Sequence, residues 1–280
     1  MLNIYKHGQQ NVFVFADIHA QFDLLNEKLQ HEENIKNSIL ICAGDCGVGF
    51  RPLSYYEKIF ACLNETLIKI NSTLYCIRGN HDNPSFFHED PLCLSNIKFI
   101  QDYSIISIDD TNILCVGGGL SIDRKMRIEQ DKQRLNYIKE ICGNQENHYL
   151  LKTFFPSYWE DELPYYDKEK IDEIRENGIT INKVITHTSP SFCYKNDKNG
   201  LSYWLKQDKE LDKDLTIERQ QLDNILKKLK EDGHPLDKWI YGHFHGHYEE
   251  QIDGIEYVAL YNSDYIFDYY LINGEINKTK

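Results

Sequence analysis

Six short apolar runs rich in β-branched residues frame this chain: 12–16 (VFVFA), 39–43 (ILICA), 74–77 (LYCI), 113–116 (ILCV), 184–186 (VIT) and 239–241 (WIY). Several are apolar at every position instead of every second one. Strands read this way when both of their faces are covered. The segments between them carry helical spacing. Phe22, Leu25 and Leu29 fall three to four apart, as do Ile59, Phe60, Leu63 and Leu67 behind a Ser54-Tyr55-Tyr56-Glu57 capping box. Asp167 is placed to cap a helix bearing Ile171 and Ile174 and stopping at Gly178; a later helix bears Leu222, Ile225, Leu226 and Leu229 and stops near Gly233. The last fifth differs, with 248–252, 257–260 and 266–272 resembling antiparallel strands joined by tight turns. Strand–helix alternation followed by a β-rich tail predicts an α/β core with a second sheet against it.

Neither a linker nor a repeat divides the 280 residues, so one domain over 1–280 is expected. The least patterned stretch, 121–164, is charged and aromatic without clear periodicity and is expected to be an irregular insertion. Long irregular stretches in compact domains are usually functional or loosely ordered.

The formal net charge is −13, with acidic residues spread along the chain. A general nucleic-acid binder needs clustered Lys and Arg, so this balance argues against one and against a nuclease. It leaves phosphate-bearing substrates open, because bound divalent cations invert the local field. Eight cysteines include no C-x-x-C pair, which argues against a zinc knuckle or redox motif. The first residues, MLNIYKHGQQ, lack the apolar stretch of a signal peptide, and no window approaches a membrane span. Together with the thiols, this points to a cytoplasmic protein.

Chemistry gathers at the ends of the apolar runs. Run 12–16 leads to Asp17-Ile18-His19, and 39–43 to Gly44-Asp45. Run 74–77 leads to Arg78-Gly79-Asn80-His81-Asp82, 184–186 to His187, and 239–241 to Gly242-His243-Phe244-His245. In an open α/β sheet, five such ends lie along one edge, where these folds build their sites. A spacing of two on extended chain turns Asp17 and His19 the same way, and likewise His243 and His245. His, Asp and Asn are hard-to-borderline ligands suited to Mn, Fe, Zn or similar divalent ions. Each cluster alone reads as a polar turn. Five of them, each closing a candidate strand, read as one site.

With these blocks in this order, the chain resembles the calcineurin-like metallophosphoesterases, whose pattern is D-x-H, G-D, G-N-H-[DE], a lone H, then G-H-x-H. The resemblance covers residues 17–245, and the segments GGGLSIDR (117–124) and WEDE (159–162) look like bacterial and phage members. It implies a four-layer α/β/β/α sandwich with two mixed sheets. It also implies two divalent metal ions, one held by Asp17, His19, Asp45 and His245 and the other by Asp45, Asn80, His187 and His243. Asp45 would bridge them. His81 would be the general acid or a phosphate ligand, oriented by Asp82. The implied activity is hydrolysis of a small phosphomonoester or phosphodiester by a metal-activated hydroxide. A non-catalytic scaffold on the same fold, binding a protein partner, is the alternative from another class. Degenerate members of that kind lose ligands, and here none is missing.

Arg78 and Arg124 are further candidates for substrate contacts. Each has a plain competing explanation as an ion pair. Arg127 and Asp123 could line the same mouth. Two positions depart from the family pattern. Ala20 follows D-x-H where glycine is common, which matters if the backbone there needs a positive φ. The loop Gly44-Asp45-Cys46-Gly47-Val48-Gly49 lacks the second acid of G-D-x-x-D, which puts outer support of the metals in question.

Overall fold

A computed structural model describes residues 2–142, 149–194, 196–260, 262–263, 266–267 and 270–272. The chain begins with strands β1 (Ile4–His7) and β2 (Asn11–Phe15), then helix α1 (Phe22–His31), β3 (Ser38–Ala43), α2 (Leu53–Lys69) and β4 (Thr73–Ile77). A short helix α3 (Ser85–Glu89) leads to β5 (Ile97–Phe99), β6 (Ser104–Ile108) and β7 (Thr111–Val116). Then come α4 (Arg124–Cys142), α5 (Tyr149–Lys152), α6 (Lys168–Glu176), β8 (Lys183–Thr186), α7 (Leu201–Gln207) and α8 (Leu211–Glu231). Strands β9 (Lys238–Tyr241), β10 (Tyr248–Ile252) and β11 (Ile255–Ala259) follow, and three two-residue strands, β12 (Asn262–Ser263), β13 (Ile266–Phe267) and β14 (Tyr270–Leu271), end the described chain.

Two mixed sheets result. One has the order β14-β2-β3-β4-β5, parallel except for β14; the other has the order β1-β6-β7-β8-β9-β11-β10. In the second, β7, β8, β9 and β11 run parallel, while β10 and the parallel pair β1 and β6 run opposite to them. The apolar runs explain the layering through their period of two. Val12, Val14, Ile39, Ile41 and Ile77 face Ile106, Ile113, Cys115, Ile185, Ile240 and Val258 across the gap between sheets. Phe13, Phe15, Leu40 and Cys42 point the other way, onto Phe22, Leu25 and Leu29 of α1 and Phe60, Leu63 and Leu67 of α2. The outer face of the second sheet, with Leu114, Val184, Trp239 and Tyr257, packs on Ile171 and Ile174 of α6 and Leu222, Ile225 and Leu229 of α8. The layers run helix, sheet, sheet, helix, the expected four-layer sandwich.

Several local expectations hold. Asp167 caps α6 by accepting the Lys170 N–H at 3.0 Å, and Gly178 and Gly233 take left-handed backbone after α6 and α8. The hairpin β10–β11 turns on Asp253-Gly254, both at positive φ.

Others need correction. Ser54 does not cap α2: Pro52, with φ fixed near −56°, starts the helix at Leu53 and leaves Ser54 inside its first turn. The strand expected over 266–272 is instead two short pieces, β13 against β12 and β14 against β2, with 268 and 269 outside the described residues. The stretch 121–164 is not irregular throughout, since 124–142 is helical; residues 143–148 lie outside the described ones. Of α4's residues only Cys142 is buried, so no apolar stripe announced the helix. The five polar clusters also do not share one sheet. Three follow β2, β3 and β4 of the first sheet and two follow β8 and β9 of the second.

Candidate metal centre

The parallel ladder continues past the strand ends. Asp17 N–H donates to Gly44 O at 3.0 Å and His19 N–H to Asp45 O at 2.9 Å, so the loops after β2 and β3 run side by side. In the other sheet Gly242 N–H donates to His187 O at 3.0 Å, tying the ends of β8 and β9. These loops bend sharply: Asp17, His19, Asp45, His243 and His245 all have positive φ, between 43° and 69°. Left-handed backbone costs a residue with a Cβ roughly 1 kcal/mol, and such strain concentrates at functional sites. Gly79 is required by closeness and not by its own φ. A Cβ there would stand 2.2 Å from Asp45 Oδ1 and 2.3 Å from Asp45 N, so only glycine lets the end of β4 lie against Asp45.

All seven candidate ligands converge. His187 Nδ1 donates to the Ala43 carbonyl at 2.8 Å, which turns Nε2 into the centre. That Nε2 stands 3.1 Å from Asn80 Oδ1, 3.2 Å from Asp45 Oδ1 and 3.2 Å from His243 Nδ1. On the other side of Asp45, His19 Nε2 is 3.8 Å from Oδ2 and 3.2 Å from His245 Nε2, and His245 Nε2 is 3.6 Å from Asp17 Oδ1. Asp17 also accepts the His243 N–H, which links the two sheets directly. Asp17, Asp45 and His187 are fully buried. Asp45 Oδ2 is buried with no hydrogen-bond partner among the described residues.

An orphaned carboxylate oxygen costs a few kcal/mol, and imidazole nitrogens 3.2 Å apart oppose their lone pairs unless a proton or a cation lies between them. The donor set therefore fits cations. Three groups with ligand atoms within 4.8 Å of one another recur: Asp17–His19–His245, His19–Asp45–His81 and Asp17–Asp45–His187.

The electrostatics agree. Burial alone would raise Asp45, but the imidazoles of His187, His81 and His19 hold its carboxyl well below the usual range. Burial pulls His187 down while Asp45, Asp17 and the Ala43 carbonyl outweigh it, leaving it at about 9. Without metal, a proton on His187 supplies the positive charge that the buried Asp45 needs. His243 is held well below its ordinary value, by burial first and then by Lys198 and His187.

The residues around this core differ from expectation in three places. Asp82 does not orient His81. Its two oxygens accept N–H groups from Cys46, Gly47, Val48 and Gly79 at 2.7 to 3.2 Å, and it clamps the loop after β3 to the end of β4. Burial and the nearby Asp45 push Asp82 up to about 6. Arg78 is no substrate contact either. Only 6% exposed, it pairs with Asp102 and donates to the carbonyls of Asp161, Glu162 and Leu163. Arg124 is spent on Asp208 and Asp214, each at 2.7 Å. For both arginines the ion pair is the better account. His247 is exposed and bonds Glu249, away from the centre.

His81 sits with its backbone N–H on Asp45 Oδ1 at 2.7 Å and its ring 4.8 Å from that of His19. Its Nε2 receives Arg127 Nη2 at 2.8 Å. Burial, with Arg127 and His19 adding to it against Asp45, holds His81 well below its ordinary pKa.

Two supporting groups come from the segments 117–124 and 159–162. Asn80 Nδ2 donates to Ser121 Oγ at 2.9 Å, and Ser121 donates through both N–H and Oγ to buried Glu162 at 2.7 Å. This leaves Asn80 Oδ1 free to face His187. Ser121 follows the Gly-Gly-Gly-Leu that ends β7, so the strand-end rule that found the other clusters would have reached it.

A family model described as calcineurin-like phosphoesterase matches residues 11–247. Solved structures similar to the chain include a dimetal phosphatase from Danio rerio, at 10% identity, covering 90% of this chain and 87% of that one, with a TM-score of 0.48. A protein from Thermus thermophilus is similar at 11% identity over 89% and 88%, TM-score 0.48. The phosphopantetheinyl hydrolase of Mycobacterium tuberculosis is similar at 12% identity over 90% and 90%, TM-score 0.40. No curated protein matches the chain.

Proposed function

The chain belongs to the calcineurin-like phosphoesterase family of metal-dependent phosphoester hydrolases, and we propose that it hydrolyses a small phosphorylated substrate at a dinuclear centre shared through Asp45. The observation that carries this reading is the buried, unpartnered Asp45 Oδ2 between two sets of inward-facing donors. Asp17, His19, Asp45 and His245 would hold one cation, and Asp45, Asn80, His187 and His243 the other. Two divalent cations, when bound, offset the charge of the phosphoryl group and make water a competent nucleophile near neutral pH.

The protein's own part follows from its contacts. A carboxylate at position 45 would serve both cations with one anion, while the imidazoles and the Asn80 carbonyl would contribute no further charge. The Ala43 carbonyl holds His187 in one tautomer, and Ser121 holds Asn80 in one amide orientation. His81 stands beside His19 and Asp45. With the Arg127 N–H on its lone pair, Nε2 carries no proton; to act as the acid it would leave Arg127, take up the proton that the attacking water gives up and pass it to the ester's leaving oxygen as the P–O bond breaks. Manganese is the metal we would try first, among Mn, Fe and Zn, because the set mixes carboxylate, amide and imidazole donors.

The test is hydrolysis of aryl and alkyl phosphoesters by Mn²⁺-loaded protein, beside His81→Ala. The expected result is turnover by the wild type and a loss in His81→Ala that grows to about 10²–10⁴-fold as the leaving group becomes poorer. A uniform loss would remove the acid role and leave His81 as a phosphate contact. A wild type that holds no metal and hydrolyses nothing would favour the non-catalytic scaffold.

A further inference from the structure

We infer that Arg127 makes this centre discriminate for phosphomonoesters over phosphodiesters, by donating to the third non-bridging oxygen that only a monoester offers; the inference rests on the dinuclear reading above. Arg127 lies in the first turn of α4, and its Nη2 is 2.8 Å from His81 Nε2. His81 in turn is grouped with His19 and Asp45. The guanidinium therefore stands one side chain from the centre. Its other nitrogens are pinned, Nε to Asp123 Oδ1 at 2.8 Å and Nη1 to the Ser157 carbonyl at 3.3 Å, and the side chain is 12% exposed. Much of the entropy of positioning the fork is already spent before substrate arrives.

The contrast with the other arginines nearby sharpens the point. Arg78 and Arg124 aim their terminal nitrogens at carboxylates and carbonyls. Arg127 aims one at a neutral imidazole, a weaker acceptor than an anionic oxygen, so exchange for a phosphoryl oxygen is favourable.

A monoester dianion carries three non-bridging oxygens and a diester two. A pair of cations accounts for two in either case. In a diester the remaining position is a carbon-bearing oxygen, a poor acceptor that also brings bulk against α4. In a monoester it is an anionic oxygen available to Arg127.

The experiment compares wild type, Arg127→Met and Arg127→Lys, all Mn²⁺-loaded, on p-nitrophenyl phosphate and bis(p-nitrophenyl) phosphate, and measures inorganic phosphate binding by calorimetry. Arg127→Met should lower kcat/KM on the monoester at least about tenfold more than on the diester, and weaken phosphate binding by about tenfold. Arg127→Lys should fall between, because it keeps the charge and loses the fork. Mn²⁺ content should be retained in both variants. Equal losses on the two esters, unaltered phosphate affinity, or loss of Mn²⁺ from both variants would overturn the inference while leaving the hydrolase reading standing. A wild type that holds Mn²⁺ yet turns over neither ester would defeat that reading and this one with it.

Discussion

Residue 20 is exposed, sits at φ 64° and carries a methyl group where a glycine would be at ease. Ala20→Gly should relieve that strain at little loss of packing, offset in part by the greater freedom of unfolded glycine. A net gain of about 0.5–1 kcal/mol, or an upward Tm shift of about 1–4 °C, is expected by calorimetry, and a lower Tm would contradict it. Asp82 gives the opposite case. Its carboxylate accepts four backbone N–H groups, so Asp82→Asn must turn an amide N–H₂ against one of them. A loss of roughly 2–3 kcal/mol in denaturant unfolding is expected. Because Asp82 does not touch the His81 ring, the leaving-group dependence of hydrolysis should keep its slope; a slope changed as in His81→Ala would restore the orienting role. At this scale the ligands were legible because each directly follows an apolar strand. The tasks of Asp82 and Gly79 were not, since both depend on how closely the β3 and β4 loops approach.

Among elements, the segment 161–164 straps the centre from outside. Arg78 holds its carbonyls, Gly119 N–H donates to Glu162 O at 2.9 Å, and the Glu162 side chain grips Ser121. Burial pushes Glu162 up to about 8 against the hydrogen bonds from Ser121, and Glu218, which accepts the Leu120 N–H, up to about 7. For an acid raised on folding, the folded state binds the extra proton between the unfolded and folded pKa values. The linkage slope of these two groups is then negative, so their contribution to stability is complete below about 4.5 and is lost as pH rises towards 8. Glu162→Gln cannot ionise and should flatten that decline between about pH 5 and 8, by an amount on the order of a few kcal/mol. Parallel urea unfolding at both pH values checks this, and identical slopes in the two proteins would refute it. Helix α4 and this strap were the elements hardest to see in the sequence. α4 is held by ion pairs and by Asp131 on Ser157, not by an apolar stripe, so it leaves no periodic trace. Strands β2, β3, β4, β8 and β9 were legible because burial on both faces demands unbroken apolar runs.

At the scale of the molecule, the two sheets are joined by their shared apolar interior and again at one end by the polar centre. No helix among the described residues is long and apolar enough to cross a membrane. The division of ligands between sheets was illegible, because order along the chain does not reveal which sheet a strand joins. It has a consequence: cations bound there cross-link the sheets and should raise Tm in proportion to the logarithm of free Mn²⁺. The account stands on two cations meeting at Asp45, and a crystal structure of Mn²⁺-soaked protein, read by its anomalous signal, tests that most directly. It should contain two peaks about 3.5–4 Å apart, both within bonding distance of Asp45, one beside Asp17, His19 and His245 and the other beside Asn80, His187 and His243. A single peak, or two that do not share Asp45, would contradict it.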